Sequence, residues 1–341
     1  MKKFLLILLI LLLIGALLGA YYTYENLKPV SSSVNNISFY VGKGQSLETI
    51  SRNLYTEGLI RNQRIFKYYG IVKEFDIMLK EGVYDISPSS SVQEIYAILI
   101  EGRQELISVT IPEGYTSRKI AQIFEEKGIV KSEDFLNAIH NKNLLEFYNI
   151  PFDTAEGFLF PDTYSFQEDY PAILVVESLI ENFYKNLKEI YPSYKKLTNK
   201  QISDIVILAS IVEREYKSSI EAKKIASVFY NRLEKDMKLQ SCATVMYVLT
   251  EEYGEKHRNR LFFDDLEVES LYNTYLYKGL PPGAISNPGY YALDAAFNPE
   301  VTDYIFFVVK DREKGLHRFS SKYSEHEEAR LEYLSGFESK K

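Results

Sequence analysis

Among the acidic residues of this 341-residue chain, Glu213 stands out by its spacing. Ile202, Val206, Ala209 and Glu213 step by four, three and four residues, so they lie along one stripe of a helix, with Ile205 and Val212 beside them. A carboxylic acid on an apolar face loses hydration, and its protonated form persists toward neutral pH. Such a group can give its proton to a departing oxygen, which is what acid-catalysed glycosidic cleavage requires. Glu215, two positions on, turns to another side of the same helix. The competing reading is a buried structural Glu paired with Arg214 or Arg232, and spacing alone leaves both open.

Other chemistries find little footing. The four histidines (His140, His257, His317 and His326) form no His-Glu-x-x-His pattern, which argues against a zinc peptidase. Structural roles are the default for His317 and His326. The single cysteine, Cys242, rules out a disulfide framework and cysteine-based zinc sites, and no histidine stands at a spacing that would make it a nucleophile. No metal site and no cofactor is expected. With 40 basic against 47 acidic residues the formal net charge is −7, so the basic footprint of a nucleic-acid partner is missing. The 28 tyrosines and 20 phenylalanines are mostly core, but an exposed minority would suit a sugar-binding cleft.

The elements that must position Glu213 can be read outward from it. Its helix, about 199 to 216, is announced by a capping box of Thr198 and Gln201. Another helix spans about 171 to 190. Ser218 with Glu221 repeats the capping signature before a helix carrying Ile225, Val228, Phe229 and Leu233 on one side. Upstream, EGFLFPDTYSF (Glu156 to Phe166) mixes aromatics with two acids and a proline. Downstream the chain is turn-rich, with GLPPG at 279–283 and SNPG at 286–289 read as rigid turns. Tyr304 to Val309 reads as a buried strand. A turn at Asp311 to Gly315 returns it as a hairpin through His317 to Ser320.

The N-terminal run Phe4 to Tyr22 contains no charged residue. At about 1.5 Å per residue it reaches roughly 28 Å, close to the hydrocarbon thickness of a bilayer. Lys2 and Lys3 precede it, while Glu25 and Lys28 cancel after it, which places the N-terminus inside and the body outside. A cleaved signal peptide is the alternative, but neither Ala16 with Leu18 nor Leu18 with Ala20 makes a good cleavage frame. A polar stretch follows, and then an internal repeat. Val41 to Ile60 aligns with Ile111 to Val130 at an offset of 70, matching Gly44 with Gly114, Ser46 with Thr116, Ile50 with Ile120, Leu54 with Phe124 and Gly58 with Gly128. Each copy reads as a strand, a glycine turn, a hydroxyl N-cap and a short amphipathic helix. Gly82 to Gly102 carries a partial echo. The expected organisation is a cytoplasmic 1–3, a transmembrane anchor 4–22, a stalk 23–37, small α+β modules over 38–150 and a catalytic domain over 151–341. The fold class is α+β, with a mixed α/β domain whose helix bears the candidate acid Glu213.

The segment ASIVEREY (Ala209 to Tyr216) resembles the motif that carries the catalytic glutamate in the endolytic murein transglycosylases of the YceG-like family. EGFLFPDTY at 156–164, SVFYNRL at 227–233, KLQS at 238–241, YNTY at 272–275, GLPPGAISNPG at 279–289 and His317 to Phe319 are similar to that family in the same order. The resemblance covers roughly 38 to 337, and the paired modules resemble the LysM-like region such proteins carry. It implies Glu213 as the acid/base that cleaves the MurNAc–GlcNAc β-1,4 bond of peptidoglycan without water, leaving a 1,6-anhydro end. The substrate's own C6 hydroxyl then serves as nucleophile, so the two carboxylates of ordinary glycosidases are not required. Gln240, Tyr272, Asn273 and Tyr275 match segments expected to line the cleft, although YNTY reads equally as a satisfied turn. Glu156 and Asp162 are candidate substrate-positioning acids, with a helix cap or a buried structural pair as the alternative. One departure stands out: Cys242-Ala243 occupies the place where the family often has Asp-Pro.

The implied partners are peptidoglycan glycan strands, the membrane through Phe4 to Tyr22, and cell-wall synthases. The implied location is the bacterial inner membrane, with a single span. Two rivals remain at this stage. One is a hydrolase of the same glycan that uses Glu213, a second carboxylate and water. The other is a non-catalytic wall-binding scaffold that would hold glycan through the repeats.

Overall fold

The 70-residue repeat becomes two helical segments each framed by an antiparallel strand pair, β-α-α-β in the first copy and β-α-α-α-β in the second. A computed structural model of the protein describes residues 2–32, 35–42, 44–102, 106–258 and 260–338, and the chain divides into two units, 1–106 and 107–341. In the first, helix α1 (Lys2–Leu27) includes a stretch, Ile7–Leu27, long and apolar enough to cross a membrane. Residues 23–27, read as the start of a stalk, continue this helix. The segment after it is tied down, because Arg61 Nε donates to the Pro29 carbonyl at 2.8 Å. Strand β1 (Ile37–Val41), helices α2 (Leu47–Thr56) and α3 (Gln63–Val72) and strand β2 (Gly82–Ile86) follow. β1 and β2 pair antiparallel, with Ile37 opposite Ile86. The partial echo is helix α4 (Val92–Glu101), opened by a Ser91–Glu94 capping box and closed by Gly102 in the left-handed region. Phe39, Ile50, Leu54, Phe66, Ile95 and Tyr96 fill this unit's core.

The second unit opens with β3 (Ile107–Thr110), α5 (Ser117–Glu126), α6 (Ser132–Ala138), α7 (Lys142–Phe147) and β4 (Thr163–Phe166). Helices α2 and α5 start and stop 70 residues apart, and their N-caps are Ser46 and Thr116. The return strands are spaced differently. Ile107 lies opposite Phe166, so the equivalents Ile86 and Phe166 are 166 − 86 = 80 residues apart, and the second copy holds ten extra residues. Its return strand therefore lies beyond residue 150, where the repeat region had been expected to end.

Helices α8 (Ala172–Ile190), α9 (Asn199–Glu215), α10 (Ala222–Glu234), α11 (Cys242–Tyr247) and α12 (Tyr290–Phe297) come next. Strands β5 (Phe306–Asp311) and β6 (Leu316–Ser320) and helix α13 (Tyr323–Glu338) complete the unit. Among the described residues every sheet is a two-stranded antiparallel pair, so the mixed α/β body expected from the sequence is α+β. α9 is its spine. Ile202, Val206 and Ala209 enter one apolar cluster, with α5, α6 and α8, while Ile207, Leu208, Ile211 and Val212 enter another with α10 and α12. A helix apolar on two sides is one buried between layers.

Two local expectations are corrected. Ser218 makes no side-chain cap, because Glu221 instead accepts from the backbone N and from Nδ1 of His317, both at 2.9 Å. The strand expected to be buried, β5, is only half-buried, since it pairs with β6 alone. The capping box at Thr198 does form. Thr198→Ala should therefore lower the unfolding free energy of this unit by about 1 kcal/mol, read as a shifted denaturant midpoint with unchanged slope.

Candidate active site

Glu213 sits in the last turn of α9, where the helix's apolar faces end. Its Oε2 accepts from the Gly289 amide at 2.9 Å and from the Tyr216 hydroxyl at 3.3 Å, while Oε1 makes no hydrogen bond among the described residues. Neither arginine considered as its partner pairs with it. Arg214 Nη1 donates to the Gly114 carbonyl at 3.1 Å, and Arg232 spends its guanidinium on the carbonyls of Ile305, Lys238 and Leu239. Burial pushes the Glu213 carboxyl up to about 7. The charge of Glu113 adds to that, and the Gly289 amide, the Tyr216 hydroxyl and Arg214 work against it.

Two backbone features let the neighbouring loops come this close. Gly114, in the β3–α5 turn, has φ +72, and a Cβ there would lie 3.3 Å from Glu213 Cγ and 3.5 Å from Arg214 Cδ. Gly289 precedes α12, and a Cβ there would meet Glu113 Oε1 at 2.0 Å.

The turn before Gly289 is held by Asn287, which is fully buried. Its Oδ1 accepts from the amides of Gly157 (2.8 Å) and Leu159 (3.0 Å). Its Nδ2 donates to the Tyr115 carbonyl (3.0 Å) and to Glu156 Oε1 (2.7 Å). Beside it, the Ser286 hydroxyl donates to the Ser210 carbonyl of α9, and the Ile285 amide donates to Ser210 Oγ. One turn thus binds the repeat copy, the 156–159 segment and the helix that bears Glu213.

Glu156 is buried and accepts from the Ser117 amide with both oxygens, so it closes the first turn of α5 from a distance. Burial raises it to about 7, and the donors Ser117 and Asn287 oppose the shift while the charge of Glu251 adds to it. Glu251 itself binds Arg118 Nε at 3.0 Å and accepts from Thr116 Oγ1 at 3.2 Å. Asp162 is exposed and accepts from the Thr163 amide and from Asn182, at the end of the β3–β4 pair. The helix-cap alternative thus describes Glu156, and local structural bonds describe Asp162.

Gln240, Tyr272, Asn273 and Tyr275 are brought together on the Glu215 side of α9. Gln240, exposed and at φ +53, donates its backbone N–H to the Thr274 carbonyl. Ser241 donates its hydroxyl to Glu215, whose carboxyl is raised by burial against that bond. Tyr275 Oη lies 3.2 Å from Cys242 Sγ, and the Tyr272 ring stands 4.9 Å from that of Tyr247. Asn273 is fully buried, with its amide spent on the Leu266 and Val268 carbonyls and its Oδ1 on the Tyr275 amide. That is the satisfied-turn alternative. Sequence reasoning missed Glu113, Tyr216, Asn287 and Gly289. The glycine turn at Gly114 and the SNPG turn held three of them, but their partners lie far along the chain.

Against this geometry, comparison with known proteins is consistent over nearly the whole chain. The model of the YceG-like family matches residues 39–332. A Bacillus subtilis protein named endolytic murein transglycosylase is 30% identical, over 93% of this chain and 91% of its own length. A longer Streptococcus pneumoniae protein of the same name is 28% identical over 97% of this chain and 64% of its own length. A crystal structure of a putative yceG-like protein from Listeria monocytogenes superposes with a TM-score of 0.58 at 32% identity, covering 87% of this chain and 99% of that one.

Removing the Asn287 carboxamide would strand two backbone amides, one carbonyl and a carboxyl in a dry interior. Asn287→Ala should cost about 2–4 kcal/mol of stability and disorder the turn that reaches Glu213. Thermal unfolding, paired with hydrogen exchange of the Gly157 and Leu159 amides, would register both effects.

Proposed function

We infer the function from a premise that the comparisons supply: this chain belongs to the YceG-like family. It is an endolytic murein transglycosylase, anchored in the bacterial cell membrane, that cleaves the MurNAc–GlcNAc β-1,4 bond of nascent peptidoglycan and leaves 1,6-anhydro-MurNAc ends. The observation that carries this reading is the Glu213 carboxyl, half-buried, free of any ion pair among the described residues and raised to about 7.

Chemistry follows from its two oxygens. Gly289 and Tyr216 both donate to Oε2, which leaves Oε1 to hold the proton. Oε1–H protonates the glycosidic oxygen as the bond from the MurNAc C1 breaks, and GlcNAc leaves with a free 4-hydroxyl. The Glu213 carboxylate, steadied by the same two donors, then takes the proton of the MurNAc C6 hydroxyl. O6 closes on C1, and Glu213 ends the cycle protonated. A pKa near 7 suits both halves, since the group must lose and regain one proton near neutral pH. Gln240, Tyr272 and Tyr275 offer an amide and ring faces to the sugars flanking the bond.

In this reading α1 holds the enzyme in the membrane with Lys2 and Lys3 inside, and the two repeat copies act as LysM-like modules toward glycan. Cutting then falls on strands near their site of synthesis, in the company of the wall synthases. Glu213→Gln should abolish anhydro ends while leaving thermal unfolding unchanged. Mass spectrometry of digested glycan strands decides: anhydro ends forming at the wild-type rate would remove Glu213 from the mechanism, and reducing ends in their place would mean hydrolysis. Freeing the body from α1 should change strand lengths in cells and leave the rate on purified strands as it was.

A further inference from the structure

The turn that closes on Glu213 brings a second carboxylate with it. Glu113 is exposed in the β3–α5 turn, and its Oε1 fills the space over Gly289, where a Cβ would meet Oε1 at 2.0 Å and Cδ at 2.3 Å. The amide of this same Gly289 donates to Glu213 Oε2 at 2.9 Å. Two carboxylates from different elements thus approach a single backbone unit. The negative charge of Glu113 so placed disfavours the charged form of Glu213.

We propose that Glu113 is a positioning residue of the active site, whose negative charge keeps the proton on Glu213 until a glycosidic oxygen arrives. The proposal rests on Glu213 being the acid of the transglycosylation. Its physical need is visible in the groups that face Glu213. From its own helix and the residue after it come Arg214 and the Tyr216 hydroxyl, and from the 286–289 turn comes the Gly289 amide; all three favour the charged form. Tyr291 of α12 lies beyond, near Tyr216. Burial favours the neutral form, and the charge of Glu113 adds to it. Without Glu113 the donors that steady the carboxylate late in the reaction would also draw off its proton early.

The repeat supports the assignment independently. At the offset of 70, position 113 corresponds to Lys43 in the first copy. The copies share the turn glycine, Gly44 and Gly114, but the residue before it changes sign in the copy that packs against α9. A turn needing only its fold would not require an acid there. Two glycines, 114 and 289, make the approach possible, one toward each carboxylate.

The test is the pH profile of kcat/KM for the full-length chain in detergent micelles, acting on purified glycan strands. A general acid must be protonated, so the wild-type rate should fall as pH rises through about 7. In Glu113→Gln this alkaline limb should move down by about one pH unit, which is a tenfold loss well above neutrality and much less near pH 5. Glu113→Asp should return the limb most of the way. A Glu113→Gln enzyme whose limb stays at the wild-type pH, or whose rate falls by one factor at every pH, would overturn the proposal. Wild-type digests that show reducing ends instead of anhydro ends would overturn the function it rests on, whatever the profile.

Discussion

The Asn287 carboxamide is the interaction on which the site's construction depends. It supplies two donors and one doubly accepting oxygen in a place where four separate backbone and side-chain groups must be satisfied. Asp would lack the donors, and an aliphatic residue would satisfy none of them. Because Asn287 lies two residues before Gly289, the same bonds that bury the turn also aim the amide that Glu213 receives. Structure and chemistry share one short segment here, so the turn is rigid for a reason that proline and glycine content alone does not express.

α9 contributes the other half of the balance. Its two apolar faces lock it between clusters, which leaves little freedom at its end, and Glu213 appears where those faces stop. Burial there favours the neutral acid, and the donors favour its anion. Burial outweighs those donors, and their opposition holds the carboxyl near neutrality instead of higher. Glu215 shows the contrast. It is two residues away and also raised by burial, but its carboxyl is taken by Ser241 and faces the Gln240–Tyr275 cluster.

Local features were the ones legible in the sequence. The capping box of Thr198, the bounds of α8 and α9 and the matched ends of α2 and α5 follow from periodicity and cap chemistry, which act over a few residues. The stripe that singled out Glu213 is of the same kind. What escaped was long-range. Asn287 binds Tyr115 across 172 positions and Glu156 across 131, and Gly289 reaches Glu213 across 76. Where a distant partner competed with a local pattern, the distant one won. Glu221 had the spacing of a capping box and went to His317. The return strand of the second copy was hidden by ten extra residues, although its pairing with β3 keeps the register of the first copy.

Those sequence distances also set an order of assembly. The first β-α-α-β copy closes with residue 86, from contacts near in sequence, as soon as that much chain is available. The second copy waits for residue 166 to pair its strands. Its turn receives its bonds only after residue 287 arrives, and the acid gains its backbone donor two residues later. A chain made from its N-terminus therefore has a folded first module well before the surroundings of Glu213 are complete. A truncated or stalled chain would carry the first module without the turn that reaches Glu213, an order of assembly written into the connectivity itself.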